Sequence, residues 1–168
     1  VGGMSDTVER YSSGFPRHLF GSDIGLKLAG SGGDGAQTAA MLITRAAINE
    51  GFDSTHIPSY GPESRGGTSY ADVRMAPEEV FSPAVPQPHA LVAFNAPSLA
   101  RFGPTVVPGG VVVYDSSVIE VPPVMPPGVT GHGVPMTRIA ADLGKPVVKN
   151  IVALGALPVA AAALVGLT

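Results

Sequence analysis

Two glycine-rich stretches hold the residues whose types and spacing can do chemistry. The first, Gly30-Ser31-Gly32-Gly33-Asp34-Gly35, has the G-x-G-x-x-G spacing with which a strand-to-helix turn offers backbone amides and a helix N-terminus to a pyrophosphate. The second runs Tyr60-Gly61-Pro62-Glu63-Ser64-Arg65-Gly66-Gly67. Its proline fixes one turn, its paired glycines permit left-handed backbone angles, and its opposite charges stand two residues apart. Arg65 can grip a carboxylate or phosphate through both arms of its guanidinium, or pair with a neighbouring acid to fold the loop or hold another chain. Gly32, Gly33, Gly35, Glu63, Ser64, Arg65 and Gly66 are therefore the candidate cofactor-binding residues.

The dinucleotide fingerprint is incomplete. It asks for an acid at the end of the second strand to hold a ribose, and there the chain has Pro58, Ser59 and Tyr60, with Asp53 at the opposite end of that strand. Asp34 is a sharper objection, because a carboxylate about 4 Å from a phosphate costs roughly 4 kcal/mol per charge at an effective dielectric of 20. A helix macrodipole returns only about 0.3 to 1 kcal/mol. The competing reading places Asp34 in the first helical turn as an electrostatic stabiliser and gives the glycines to tight packing.

Other chemistry is thinner. No Ser-His-Asp order or close acid pair suggests complete catalytic machinery, and Glu78 and Glu79 read as the start of a short helix. Asp115-Ser116-Ser117 follows a strand, as a turn or as the polar lining of a crevice. His18, His56, His89 and His132 are far apart, without ligand-type pairing, and the chain has no cysteine. That removes disulfides, thiolate nucleophiles, zinc ribbons and cysteine-ligated iron–sulfur clusters from what this stretch can hold. No catalytic or metal-ligating residue is assigned to it.

The elements that must position these residues begin at Ile24. Ile24, Leu26 and Leu28 alternate as a strand into the first glycine turn. Ala36, Ala39, Ala40, Ile43, Ala46 and Ala47 then recur at helical spacing to Asn49, where Gly51 is placed to end the helix. A face of such small side chains lets the helix approach a sheet closely. Further strands are predicted at Ser54–Ile57, Ser69–Met75, Ala90–Asn95, Val111–Tyr114 and near Val129–Val134. A short helix and turn fall within Ala96–Pro108, a proline-rich surface loop at Val121–Gly128, and a helix at Thr137–Leu143. The continuously apolar runs Ala90–Phe94 and Val111–Val113 suit central strands covered on both sides. The expected architecture is α/β: a single doubly wound, mainly parallel sheet with helices on both faces.

With 168 residues, 45% of them hydrophobic, the chain suits one domain, expected at 24–168 after an N-terminal extension at 1–23. A formal net charge of -3 with scattered basic residues excludes a nucleic-acid footprint. The amino end has no secretory pattern, so a cytoplasmic location is expected. Ile151–Leu167 is apolar throughout but shorter than the ~20 residues of a membrane span. It reads as a helix with one side against the sheet and another against a partner.

Taken together, the two motifs resemble the G-x-G-G-Q-G turn and the G-P-E-S-R-G-G loop of the gamma subunit, or equivalent domain, of 2-oxoacid:acceptor (ferredoxin) oxidoreductases. The resemblance extends through Ala93-Phe94-Asn95, Pro108-Gly109-Gly110, Asp115-Ser116-Ser117 and Asn150-Ile151-Val152-Ala153-Leu154-Gly155, covering about Leu26 to Leu157. Asp34 stands where the family has glutamine. The extension before Ile24 is longer than expected, and the chain stops at Thr168 where the family continues, so a shortened or altered C-terminus is expected. The resemblance implies oxidative decarboxylation of a 2-oxoacid to an acyl-coenzyme A. It further implies thiamine diphosphate with Mg and 4Fe-4S clusters, carried by alpha and beta subunits and a ferredoxin-like iron–sulfur subunit, none of them bound by this chain alone. Packing against the thiamine-binding subunits, and helping to enclose coenzyme A, are the duties left to it. The alternative is a stand-alone doubly wound nucleotide- or ligand-binding module.

Overall fold

The computed structural model describes residues 23–60, 67–120 and 124–164. Six strands form one sheet: β1 (Ile24–Ser31), β2 (Asp53–Tyr60), β3 (Thr68–Ala76), β4 (Ala90–Ala93), β5 (Val111–Asp115) and β6 (Thr130–Val134). Their order across the sheet is β2-β3-β1-β4-β5-β6. Neighbours from β1 through β6 on the β4 side pair in parallel, whereas β3 pairs antiparallel with both β1 and β2. Only β3 therefore runs against the rest, and the expected mainly parallel sheet is what forms.

Helices cover both faces. α1 (Ala36–Asn49) and the carboxyl-terminal α4 (Lys149–Leu164) lie on one, where Leu26, Leu28, Val73, Val92, Phe94 and Val113 meet Ala39, Ala40, Ala153 and Leu157. α3 (Met136–Asp142) adds Met136 to the same core. α2 (Ala96–Phe102) covers the other face, packing Leu99 and Phe102 on Ala29, Leu91, Ala93 and Val112. Small side chains do let α1 approach the sheet, but Thr44 rather than Ala46 completes its buried face. The Thr44 hydroxyl is satisfied by the Ala40 carbonyl at 2.8 Å. Gly51 ends the helix at φ +88° and donates its amide to Ile48. No helix starts at Glu78. Pro77, Pro83, Pro86 and Pro88 punctuate that stretch; each lacks an amide donor and each disfavours helical angles in the residue before it. The Val80 amide goes instead to Asp53 Oδ2 at 2.8 Å.

α4 holds two helix-weakening residues. Gly155 costs about 0.5–1 kcal/mol relative to alanine, and Pro158 removes one main-chain hydrogen bond within the helix. Its sheet side, Ala153, Leu157 and Ala160, is buried. No helix among the described residues is long and apolar enough to cross a membrane.

One charge is buried under α2. Lys27 in β1 faces its register partner Asp72 in β3, with Nζ 3.1 Å from Asp72 Oδ1 as an ion pair rather than an aligned hydrogen bond. The Val85 amide binds Asp72 Oδ2 at 2.9 Å. The ammonium also lies 4.8 Å and 4.7 Å from the ring centroids of Tyr70 and Phe102, so cation–π attraction adds to the pairing. Removing one member of such a buried pair strands the other charge. Lys27→Met is therefore expected to lower unfolding free energy by about 3 kcal/mol, read from the denaturant midpoint.

His89 joins the start of β4 to the start of β1. Its Nδ1 accepts the Gly25 amide at 2.9 Å, and its own amide donates to the Gly25 carbonyl at 2.8 Å. Burial, aided by the positive charge of Arg74, holds the ring below the ordinary 6.5. The neutral ring is the folded form, so its contribution is complete above pH 6.5 and is lost as pH falls through the lowered folded value. Thermal midpoints should therefore drop between pH 7 and 5, and His89→Asn, which keeps an acceptor without a titrating ring, should flatten that slope.

Candidate functional site

The site lies where β1 and β4 part. The chain leaves β1 for α1 on one face and leaves β4 for α2 on the other, and a sheet opens a crevice at the carboxyl ends of strands that diverge in this way. Backbone contact persists to the rim, where the Phe94 amide donates to the Ala29 carbonyl at 2.9 Å. Asn95 then bridges the two strands. Its Nδ2 donates to Ser31 Oγ at 2.8 Å, and its Oδ1 accepts the Ser98 amide at 2.9 Å, capping α2.

The glycine turn folds around Asp34. Asp34 stands just ahead of α1, whose N-cap is Gly35, so it is not in the first helical turn. Its Oδ2 accepts the Ser31 amide at 2.7 Å, and its carboxylate pairs with Lys149 at the start of α4. The charge is thus neutralised within the chain. Gly30 is packed under this arrangement, since an added Cβ would lie 2.6 Å from Asp34 Oδ2 and 2.9 Å from Phe94 Cβ.

The remaining glycines divide. Gly35 takes φ +82°, and a Cβ there would meet the Asn150 side chain at 2.7 Å; Asn150 Nδ2 also donates to the Gly35 carbonyl at 3.3 Å. Gly32 and Gly33 stand at the exposed tip, with no atom within 4 Å of an added Cβ, and Gly33 is left-handed at φ +92°. The tip therefore offers bare backbone outward while Asn150 and Lys149 fill the inner side.

The second motif lies outside the described residues: Glu63, Ser64, Arg65 and Gly66 have no described position. Its roots do. β1 and β3 pair Ser31 with Thr68, and β2 and β3 pair Tyr60 with Ser69, so the loop leaves and rejoins the sheet beside the glycine turn. Gln37, in the first turn of α1, fixes the returning strand by donating to the Tyr70 carbonyl at 2.9 Å and to Ser69 Oγ at 3.3 Å. Its Oε1 accepts from His56 Nε2 at 3.1 Å, and burial holds the His56 ring below its ordinary value.

Asp115 anchors the next strand end. Fully buried, it accepts the Thr137 hydroxyl at 2.6 Å and the Ser117 amide at 3.0 Å, tying β5 to α3. Its two oxygens are spent inside the fold. Among the described residues no group of three His, Cys, Asp or Glu side chains could hold a metal ion. Lys149, Gln37 and Lys27 were not signalled by the sequence motifs. Only the asparagine following Lys149 belonged to a recognisable pattern.

The two kinds of glycine can be told apart by substitution. Gly35→Ala should cost at least about 1–2 kcal/mol for the left-handed backbone alone, whereas Gly32→Ala should stay within about 0.5 kcal/mol. Denaturant titration of the two variants checks this.

Comparison with known proteins agrees with this architecture. The pattern of the family described as pyruvate ferredoxin/flavodoxin oxidoreductase matches residues 25–167. The ketoisovalerate oxidoreductase subunit VorA of Methanothermobacter thermautotrophicus is 39% identical over 135 residues, which are 80% of this chain and 28% of VorA. Among solved structures, the 2-oxoglutarate:ferredoxin oxidoreductase of Magnetococcus marinus, with 2-oxoglutarate, coenzyme A and succinyl-CoA bound, superposes with a TM-score of 0.74. It is 28% identical over 80% of this chain and 24% of its own. The gamma subunit of a keto/oxoacid ferredoxin oxidoreductase from Geobacter sulfurreducens gives a TM-score of 0.68 at 29% identity, covering 80% of this chain and 75% of that one. The chain thus spans about a quarter of the length of VorA and of the Magnetococcus chain, and most of the Geobacter subunit. By its sequence pattern and by its fold, the chain belongs to the pyruvate ferredoxin/flavodoxin oxidoreductase family and resembles its gamma subunit.

Proposed function

We propose that this chain, through residues 24–168, serves as the gamma-type component of a 2-oxoacid:acceptor oxidoreductase that oxidatively decarboxylates a 2-oxoacid to an acyl-coenzyme A. The observation that carries this reading is the family match over 25–167. Relatives named for ketoisovalerate and for 2-oxoglutarate both resemble the chain, which supports the 2-oxoacid class and leaves the member of it open. The stand-alone module has no comparable support.

Thiamine diphosphate with Mg and iron–sulfur clusters would supply the carbanion and electron-transfer chemistry, on other chains or domains. The residues here do not fit those groups. The sequence has no thiolate, and the described residues hold no carboxylate and imidazole set suited to a metal. What the chain can offer at the carboxyl ends of β1 and β4 is exposed backbone, with Arg65 in the loop whose roots lie beside it. The bare amides of Gly32 and Gly33, and the loop of Glu63, Ser64, Arg65 and Gly66 rooted beside them, would face coenzyme A or a neighbouring subunit. Gly35 supports the turn from inside against Asn150.

A tagged full chain expressed in its native host should co-purify with larger subunits that carry thiamine diphosphate and absorb near the ~400 nm expected of iron–sulfur clusters. The chain purified alone should hold no stoichiometric iron. Recovery of the chain without such subunits would remove the assignment. Arg65→Ala should lower coenzyme A-dependent turnover or assembly by roughly tenfold, the scale of one charge-assisted hydrogen bond. Arg65→Lys should not restore it, because an ammonium lacks the planar fork.

A further inference from the structure

α1 lies on the sheet mainly through small side chains. Ala36, Ala39, Ala40 and Ala47 are its buried apolar residues, and apolar contact of this kind is non-directional. It holds the helix down without fixing how far along the strands the first turn sits. Among the described residues, every side-chain hydrogen bond that joins α1 to β2 and β3 is made by one residue, Gln37. It occupies the second position of the helix, four residues after the exposed Gly33.

The Gln37 carboxamide has one orientation. The Tyr70 carbonyl can only accept, so the atom 2.9 Å from it is Nε2, which also reaches Ser69 Oγ at 3.3 Å. Oε1 is thereby turned to His56, whose Nε2 lies 3.1 Å away and must carry the proton it donates. Both side chains are half-buried. His56 thus holds the carboxamide from β2, while the amide hydrogens grip the amino end of β3, where Ser69 and Tyr70 pair with Gly30 and Ala29 of β1. The glycine turn is fixed from elsewhere by the Asp34–Lys149 pair and by Asn150 against Gly35. That attachment comes from α4, which packs toward β5, whereas β3 lies on the opposite side of β1. Held from α4 alone, the turn can pivot about Asp34; Gln37 supplies the second point of attachment.

Resting on the reading that coenzyme A meets the glycine tip, we propose that Gln37, oriented by His56, is a positioning residue for that coenzyme A: it fixes the start of α1 against β3 and so the aim of the Gly32 and Gly33 amides. Its part is indirect. The ligand meets backbone, and the carboxamide sets where that backbone stands. Such a residue governs how well the co-substrate is held rather than the chemistry that follows, so its loss falls on KM and spares kcat.

The test uses the assembled enzyme purified from its native host, with turnover measured as coenzyme A is varied. Gln37→Glu keeps the shape but has no N–H for the Tyr70 carbonyl. It should raise KM for coenzyme A by roughly tenfold, the scale of one lost hydrogen bond, while kcat and the KM of the 2-oxoacid stay within about twofold. Gln37→Leu, which adds no charge, should do the same. His56→Leu should raise KM for coenzyme A by a smaller factor, and His56→Gln, which keeps an N–H donor, should restore it. Combining Gln37→Leu with His56→Leu should be no worse than Gln37→Leu alone, because His56 acts through Gln37. Ser54→Ala is the structural control. It removes a side-chain bond to the Arg74 carbonyl at the far end of the same strand pair and should lower the melting temperature without moving KM. An unchanged KM in both Gln37 variants, or an equal rise with Ser54→Ala, overturns the positioning role and leaves the assembly assignment standing. Failure of His56→Gln to restore what His56→Leu loses also overturns it. If the unaltered enzyme turns over no 2-oxoacid with coenzyme A, the proposed activity fails and the positioning role with it.

Discussion

Adjacent parallel strands that send their chains to opposite faces open a gap in the sheet, and the polar backbone at its rim must find partners there. In this domain the gap falls between β1 and β4. Asn95 spans it from Ser31 to the first turn of α2, and Asp34 turns back to take the Ser31 amide. The carboxylate so drawn in needs a cation, which arrives from the far end of the chain as Lys149, above the ring of Phe94. Once Lys149 is there, Asn150 necessarily lies against Gly35, and α4 is fixed on the same face as α1. The position of the carboxyl-terminal helix thus follows from one unsatisfied turn at the end of the first strand.

The same arrangement changes the meaning of the glycine fingerprint. In a dinucleotide site the last glycine permits close helix–strand packing and the middle one admits a pyrophosphate. Here Gly30 and Gly35 are committed to Asp34, Phe94 and Asn150, while Gly32 and Gly33 are left at the tip. The earlier objection that Asp34 would repel a phosphate is weakened by its pairing, since the turn presents a compensated charge. Lys149 is held by that pairing and is not a free cation for a ligand. An anion at the tip would meet amides first, since the Lys149 ammonium is already paired with Asp34.

Most of the fold was legible in the sequence because it is written in local terms. Alternation in Ile24–Leu28, the alanine periodicity to Asn49, and the apolar runs at 90–94 and 111–113 each correspond to an element with the expected face buried. What was hidden depends on neighbours far along the chain. Ala71, Val73 and Met75 declare which side of β3 is buried but not that β3 is inserted, reversed, between β2 and β1. Lys27 and Asp72 each look like outward-facing polar residues until register makes them partners beneath Phe102. Lys149 has no local mark at all, being separated from Asp34 by most of the domain. Thr44 displaces Ala46 because helical phase decides burial and its hydroxyl can be satisfied by the preceding turn. The expected helix at Glu78 fails for a local reason that was present: four prolines outweigh two good helix formers.

Charge placement separates this domain's two exposed features. Both ion pairs among the described residues, Lys27–Asp72 and Lys149–Asp34, are turned inward, so neither feature depends on a charge that the fold itself requires. At the crevice edge the glycine tip and the loop roots offer backbone donors, suited to a polar or anionic group. Along α4 the side away from the sheet exposes Ile151 and Gly155 among the described residues. The first lies at the carboxyl ends of the strands, and the second faces away from the sheet across a buried stripe of Ala153, Leu157 and Ala160. A substitution on the outer side of α4 leaves Lys149 and Asn150 in place, so it can alter what the helix touches without opening the turn. The reverse does not hold. Losing Asp34 leaves Lys149 without its carboxylate at the first turn of α4, so a change at the glycine turn reaches the carboxyl-terminal helix as well.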